Sequence, residues 1–180
     1  MGQLKYNVDI VMCIDCTGSM GGLLDTVKTN ALKFYSDLHK RCEEKGKEVS
    51  ELRIRTIAFR DFDADKSSAI ADTGFLNIPA QESEFNAFIS GLRPTGGGDE
   101  PENGLEAVAM AINSDWTTGG DRRRHVVVVW SDASTHPLGL EKSKTSFYPE
   151  NMPSTFDEMT DWWEDEQSGK MNKSAKRIII

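Results

Sequence analysis

Apolar positions along this chain follow two periods in alternation. Residues 8–14 (Val-Asp-Ile-Val-Met-Cys-Ile) form an almost continuous apolar run, which predicts a buried central strand. Leu23, Leu24, Val27, Ala31, Phe34, Tyr35 and Leu38 then recur at spacings of three and four, the period of a helix with one apolar face. That helix is expected over residues 22–44, closed by Lys45-Gly46-Lys47 with Gly46 in the left-handed turn. Residues 52–59 alternate apolar and charged positions before turning wholly apolar, so a second strand is predicted, exposed at its start. A short strand over 73–77 belongs at the sheet edge, where Pro79 is tolerated. Phe85, Phe88, Ile89 and Leu92 mark a short helix over 83–92.

Further along, Pro101 after an acidic pair signals a helix start, and Leu105, Val108, Ala109 and Ile112 carry that helix toward Trp116. The valines of 125–130 predict a buried parallel strand. Beyond Thr135 a long polar segment runs through Pro137, Gly139, Pro149 and Pro153 and is expected to border a ligand surface. Residues 155–166 read as a helix offering Phe156, Met159, Trp162 and Trp163, of which the adjacent tryptophans cannot share one face. Residues 176–180 begin one more buried strand. Strand and helix in alternation predict an α/β fold: one domain over 1–180, three-layer, its mostly parallel sheet covered by helices on both faces.

Composition narrows the function classes. Hydrophobic residues at 38% and charged residues at 28% are those of a globular chain, and the apolar runs are too short to cross a bilayer. No signal-peptide pattern precedes the first strand. Three cysteines, an odd number, argue against a disulfide framework and fit a reducing, cytoplasmic setting. Cys13 and Cys16 form a Cys-x-x-Cys without a second pair to complete a zinc site, and are read as structural thiols. A net charge of −8 speaks against nucleic acid as a partner.

The candidate chemistry lies where the strands end. Asp15, Thr17 and Ser19 follow the first strand, and Gly18 lets the chain bend so that their oxygens face one spot. Oxygen-only ligands suit a hard divalent cation. A second polar stretch, Gly96-Gly97-Gly98-Asp99, precedes the Pro101 helix; three glycines are costly unless something needs close backbone approach. The plain alternative is a flexible linker with Asp99 as a helix cap. Asp132 follows the valine strand by two residues. The acidic run 60–65 fails the EF-hand pattern and reads as a solvated turn. Asp15, Asp61 and Asp132 thus all fall at carboxyl ends of strands, where open α/β sheets bind ligands.

Asp15-Cys16-Thr17-Gly18-Ser19 resembles the Asp-x-Ser/Thr-x-Ser signature of the von Willebrand factor type A domain. That resemblance implies a Rossmann-like sheet with one antiparallel edge strand, and a metal-ion-dependent adhesion site. The implied ligands are Asp15, Thr17, Ser19, Asp99 and Asp132, with Thr17 and Ser19 in direct contact and Asp15 and Asp132 acting partly through water. Where the family usually carries threonine, within Gly-Gly-x-Thr, this chain has Asp99; Thr95 is the fallback. The added carboxylate should strengthen metal binding and make the ion less electrophilic. Gly-Gly-Gly-Asp-x-Pro-Glu together with Phe59-Arg60-Asp61 is similar to type A domains of bacterial proteins and of some atypical kinases. Arg60 and Asp61 are expected to support the site or to form an ordinary ion pair, and His136 stands where relatives carry Asp-Ala-x-x-His. The family fold continues past a strand like 176–180 to a further helix, so a fragment, or a partner covering this end, is expected.

The function implied is a metal-dependent protein-binding module, not an enzyme, in which an Asp or Glu of a protein partner completes the sphere of Mg²⁺, with Mn²⁺ and Ca²⁺ as alternatives. Two other readings stand beside it. A metal-dependent phosphohydrolase of the Asp-x-Asp type is weakened because Thr17 takes the second acidic position. A structural module with a vestigial metal site is the other.

Overall fold

The computed structural model describes residues 4–98, 101–164 and 171–180. Among these residues, strand β1 (Lys5–Asp15) is central in a five-stranded sheet whose order is β3 (Ile70–Ile78), β2 (Glu48–Phe59), β1, β4 (Arg122–Trp130), β5 (Lys176–Ile179). It pairs in parallel with β2 (Glu48–Phe59) on one side and β4 (Arg122–Trp130) on the other. Its residues are buried from Val8 onward because both faces are covered. Even-numbered Val8, Ile10, Met12 and Ile14 pack with Leu24, Val27 and Ala31 of α1 (Leu24–Glu44) and with Phe85 and Ile89 of α3 (Glu82–Gly91). Odd-numbered Val11 and Cys13 pack with Ala107, Val108, Ala111 and Ile112 of α4 (Gly104–Ile112) and with Met159 of α5 (Phe156–Glu164). Two cores separated by one sheet make the three-layer α/β/α architecture.

Several elements differ from their sequence expectation. Helix α1 starts two residues late because Gly18–Gly22 winds as a 3-10 turn that buries Met20. Its end is as expected, with Gly46 at φ 60°. Strand β2 reaches back to Glu48, since pairing with Lys5 recruits polar residues that periodicity leaves out. The acidic run after β2 is not a solvated turn: Phe62–Asp65 forms a short helix, α2, with Phe62 buried and Asp61 capping it. Strand β3 (Ile70–Ile78) runs antiparallel to β2 at the sheet edge.

Pro101 does not start a helix. Glu102 donates its N–H to the Ser134 carbonyl at 2.9 Å and accepts from His136 N–H at 2.8 Å, so this segment pairs with the chain after β4 and α4 begins only at Gly104. Strand β5 (Lys176–Ile179) is not buried either. It pairs with β4 alone at the second edge, and Ile178, Ile179 and Ile180 are 40%, 56% and 93% exposed. Helix α5 starts where Thr155 Oγ1 accepts from Glu158 N–H at 3.1 Å; Trp162 and Trp163 on it are both half-buried. Residues 165 and 166, expected to extend that helix, lie outside the described residues.

Register now decides what meets what. Asp15 is level with Phe59 and Ile14 with Trp130, so the three central strands end in one row. The loops carrying Thr17, Asp61 and Asp132 therefore leave the sheet side by side.

Candidate functional site

Asp15 closes β1 with its carboxylate fully buried. Its Oδ1 accepts from Thr17 N–H at 2.9 Å and from the Thr17 hydroxyl at 2.7 Å, while Oδ2 accepts from the Ser131 hydroxyl at 2.7 Å. Ser19 donates its hydroxyl proton to Asp132 Oδ1 at 2.9 Å. Thr17 Oγ1 and Ser19 Oγ are 3.1 Å apart, and either hydroxyl can be the donor in that contact. Four residues from two loops thus form one continuous string of oxygens. Asp15 and Thr17 make a buried floor, and Ser19 and Asp132 an exposed rim.

This donor set fits a hard cation. Adjacent oxygens around an octahedral Mg²⁺ with 2.0–2.1 Å bonds stand about 2.8–3.0 Å apart, and Thr17 Oγ1 and Ser19 Oγ, the pair expected in direct contact, are 3.1 Å apart.

The glycine stretch passes over Thr17. Gly18 N–H donates to the Gly96 carbonyl at 3.1 Å and Thr95 N–H to the Cys16 carbonyl at 3.0 Å. Gly97 has φ 78°, and a Cβ there would come within 3.1 Å of Thr17 Cβ and 2.9 Å of Glu102 Oε1. Close approach, rather than linker flexibility, is what these glycines permit. Thr95 is exposed and is tied down through its backbone. Asp99, expected to complete the ligand set, lies outside the described residues, as does Glu100.

Arg60 makes no ion pair with Asp61. Its guanidinium donates to the carbonyls of Thr95 at 2.9 Å, Arg93 at 3.0 Å and Ser68 at 3.1 Å, clamping the approach to the glycines. Asp61 accepts from Ala64 N–H at 2.6 Å and turns Oδ2 toward His136 Nε2, 3.4 Å away. His136 is buried, and its Nε2 faces Asp61 and Glu141.

Three site residues escape the sequence reading. Asp65 holds the glycine loop by accepting from Gly97 N–H at 2.8 Å, and Ser131 orients Asp15. Glu102 is buried, and its Oε2 has no partner among the described residues. Burial, followed by the charges of Asp15, Asp61, Asp65 and Asp132, pushes its carboxyl up to about 7. The one available signal was the glutamate's place just behind the three glycines, and it was masked by the helix-start pattern at Pro101. The thiols of Cys13 and Cys16 are free and buried; burial raises them to about 12 and about 11. That makes them packing groups, not nucleophiles.

The crystal structure of the pilus adhesin SpaC from Lactobacillus rhamnosus GG superposes with a TM-score of 0.52 at 15% identity, over 73% of this chain and 16% of that one. The vWF domain of the type V pili tip protein Mfa5 from Porphyromonas gingivalis gives a TM-score of 0.50 at 20% identity, over 78% of this chain and 43% of that one. The fold is therefore that of a von Willebrand factor type A-like domain. In sequence, the chain is 26% identical over 147 residues to the alpha-protein kinase vwkA of Dictyostelium discoideum, which covers 81% of this chain. It spans about a fifth of that protein's length (21%). No family model matches the chain. No helix among the described residues is long and apolar enough to cross a membrane.

Proposed function

We propose that this domain is a protein-binding module that depends on a divalent cation held between the β1 and β4 loops. The observation that carries the reading is the oxygen string Asp15–Thr17–Ser19–Asp132, in which two hydroxyls and two carboxylates from the β1 and β4 loops stand 2.7–3.1 Å apart in succession. Thr17 and Ser19 would hold Mg²⁺ directly, Asp15 and Asp132 would support it partly through water, and Asp99 joins the set on sequence grounds. Mn²⁺ and Ca²⁺ remain alternatives.

Electrostatics supports the choice of partner. Asp15, Asp61, Asp65 and Asp132 make the metal-free mouth negative, which, after burial, pushes the neighbouring Glu102 carboxyl up, so an acidic ligand is repelled. A bound cation offsets part of this charge and offers a direct coordination position, on the exposed Ser19–Asp132 rim, for an Asp or Glu of a partner protein. The likeness to an adhesin and to a pilus tip protein agrees with a binding rather than a catalytic role. The free, buried thiols support a reducing, cytoplasmic setting.

Titration of chelator-stripped protein with Mg²⁺, read by calorimetry, is expected to give binding in the wild type and none in Asp15→Ala. Equal binding by both removes the metal reading. Partner capture that persists unchanged in chelator favours a module whose site serves only structure.

A further inference from the structure

Behind the loops just described, three buried side chains from separate segments converge. Asp61 stands immediately after β2, His136 follows the Glu102–Thr135 bridge, and Glu141 lies in the turns beyond Gly139. They are 3%, 8% and 1% exposed. Their candidate ligand atoms all lie within 4.8 Å of one another. His136 Nε2 is 3.4 Å from Asp61 Oδ2 and 3.6 Å from Glu141 Oε1. Neither His136 Nε2 nor Glu141 Oε2 has a hydrogen-bond partner among the described residues.

A protonated histidine bridging two carboxylates is the simplest alternative, and the geometry disfavours it. Nε2 carries at most one proton, which can point at one oxygen only, and both distances exceed the upper range of about 3.2 Å for N–H···O bonds. Ligand atoms around a tetrahedral ion with bonds near 2.0–2.1 Å stand about 3.3–3.4 Å apart, close to the spacing seen on either side of His136. Asp61 Oδ1 is occupied as the cap of α2, which leaves Oδ2 directed inward. Lys144 Nζ, on a partly exposed side chain, lies 3.8 Å from Glu141 Oε1 and 3.9 Å from Asp63 Oδ2, so it sits at the rim of the cluster.

We propose that Asp61, His136 and Glu141 form a second metal site, for a borderline transition ion of the Zn²⁺ type. One imidazole nitrogen and two carboxylates select such an ion over Mg²⁺, which takes oxygen ligands, and leave a fourth position for water. The ion pins the segment that follows Asp132 onto the end of β2. The site shares no residue with the oxygen string, so the two can be separated by mutation.

Co²⁺ is the probe, because tetrahedral Co²⁺ absorbs visible light far more strongly than the octahedral ion. Chelator-stripped wild type is expected to develop tetrahedral Co²⁺ bands that saturate at one equivalent and vanish on adding Zn²⁺. Asp15→Ala should keep them. His136→Gln and Glu141→Gln, with folding checked by circular dichroism, should weaken Co²⁺ binding at least tenfold. Absent bands in the wild type, or unchanged titrations in folded His136→Gln and Glu141→Gln, overturn the proposal. If neither variant folds, zinc-edge anomalous scattering from zinc-soaked wild-type crystals decides. A peak beside His136 Nε2 supports the site, and its absence overturns it.

Discussion

Ser131 Oγ donates to Asp15 Oδ2 at 2.7 Å, joining the carboxyl ends of β4 and β1 across 116 residues of sequence. Thr17 engages the other oxygen of the same carboxylate, so Asp15 is held from both sides before any ligand arrives. Ser131→Ala leaves Oδ2 of the buried Asp15 carboxylate without this donor, which comes from the exposed Ser131. The expected cost is about 1 kcal/mol, read as a lower urea midpoint with an unchanged slope.

Glu102 makes stability depend on pH in a definite direction. Its carboxyl lies at about 7 in the folded chain against 4.5 for the free group, because burial and then neighbouring carboxylates disfavour the charge. Between those values the folded state binds more protons than the unfolded one, so stability falls as pH rises through that window and levels off above it. Glu106, raised mainly by burial, adds to the fall, whereas His125, lowered mainly by burial, opposes it. Comparing wild type with Glu102→Gln in chelator isolates the first contribution. The variant should be the more stable at pH 8, with the difference shrinking toward pH 5. Parallel curves over that range would remove Glu102 from the account.

The strands that position the site are legible in the sequence for a simple reason. Apart from Asp9 and His125, residues 8–14 and 125–130 are apolar on both faces, and only a strand between two layers needs that. Asp15, Thr17, Ser19 and Asp132 could be placed because they directly follow such runs. Glu102 could not, since Pro101 carries a helix-start signal that pairing with Ser134 and His136 overrides. Glu141 sits in a polar segment with no period, and its burial depends on Asp61 and His136, which are distant in sequence. The three terminal isoleucines look buried by composition, but an edge position is a property of the sheet, not of the segment.

The glycines of the second loop differ in what they tolerate. Gly96 has φ 73°, and an added Cβ would come within 1.8 Å of Asp65 Oδ1, the carboxylate whose other oxygen holds Gly97. Gly98 has no positive φ, and among the described residues a Cβ there meets Ala64 Cβ at 3.5 Å. Gly96→Ala is expected to cost about 1–3 kcal/mol, and Gly98→Ala less than about 0.5 kcal/mol. Equal midpoints in thermal unfolding of the two variants would show that the loop is not held as described.

Arg60 tests whether support and ligation can be told apart. Its planar fork reaches the carbonyls of Ser68, Arg93 and Thr95, on both sides of the chain leading to the glycines. Lysine keeps the charge but places its donors on a single nitrogen, so Arg60→Lys cannot make all three bonds. The glycine loop should then sit less firmly over Thr17 while every proposed oxygen ligand stays in place. Such outer support is worth about tenfold in metal affinity. Arg60→Lys is therefore expected to weaken Mg²⁺ binding by about that factor at unchanged stoichiometry, whereas Asp15→Ala abolishes it. Loss of stoichiometry in Arg60→Lys would mean that the loop, and not the β1 turn, carries the site.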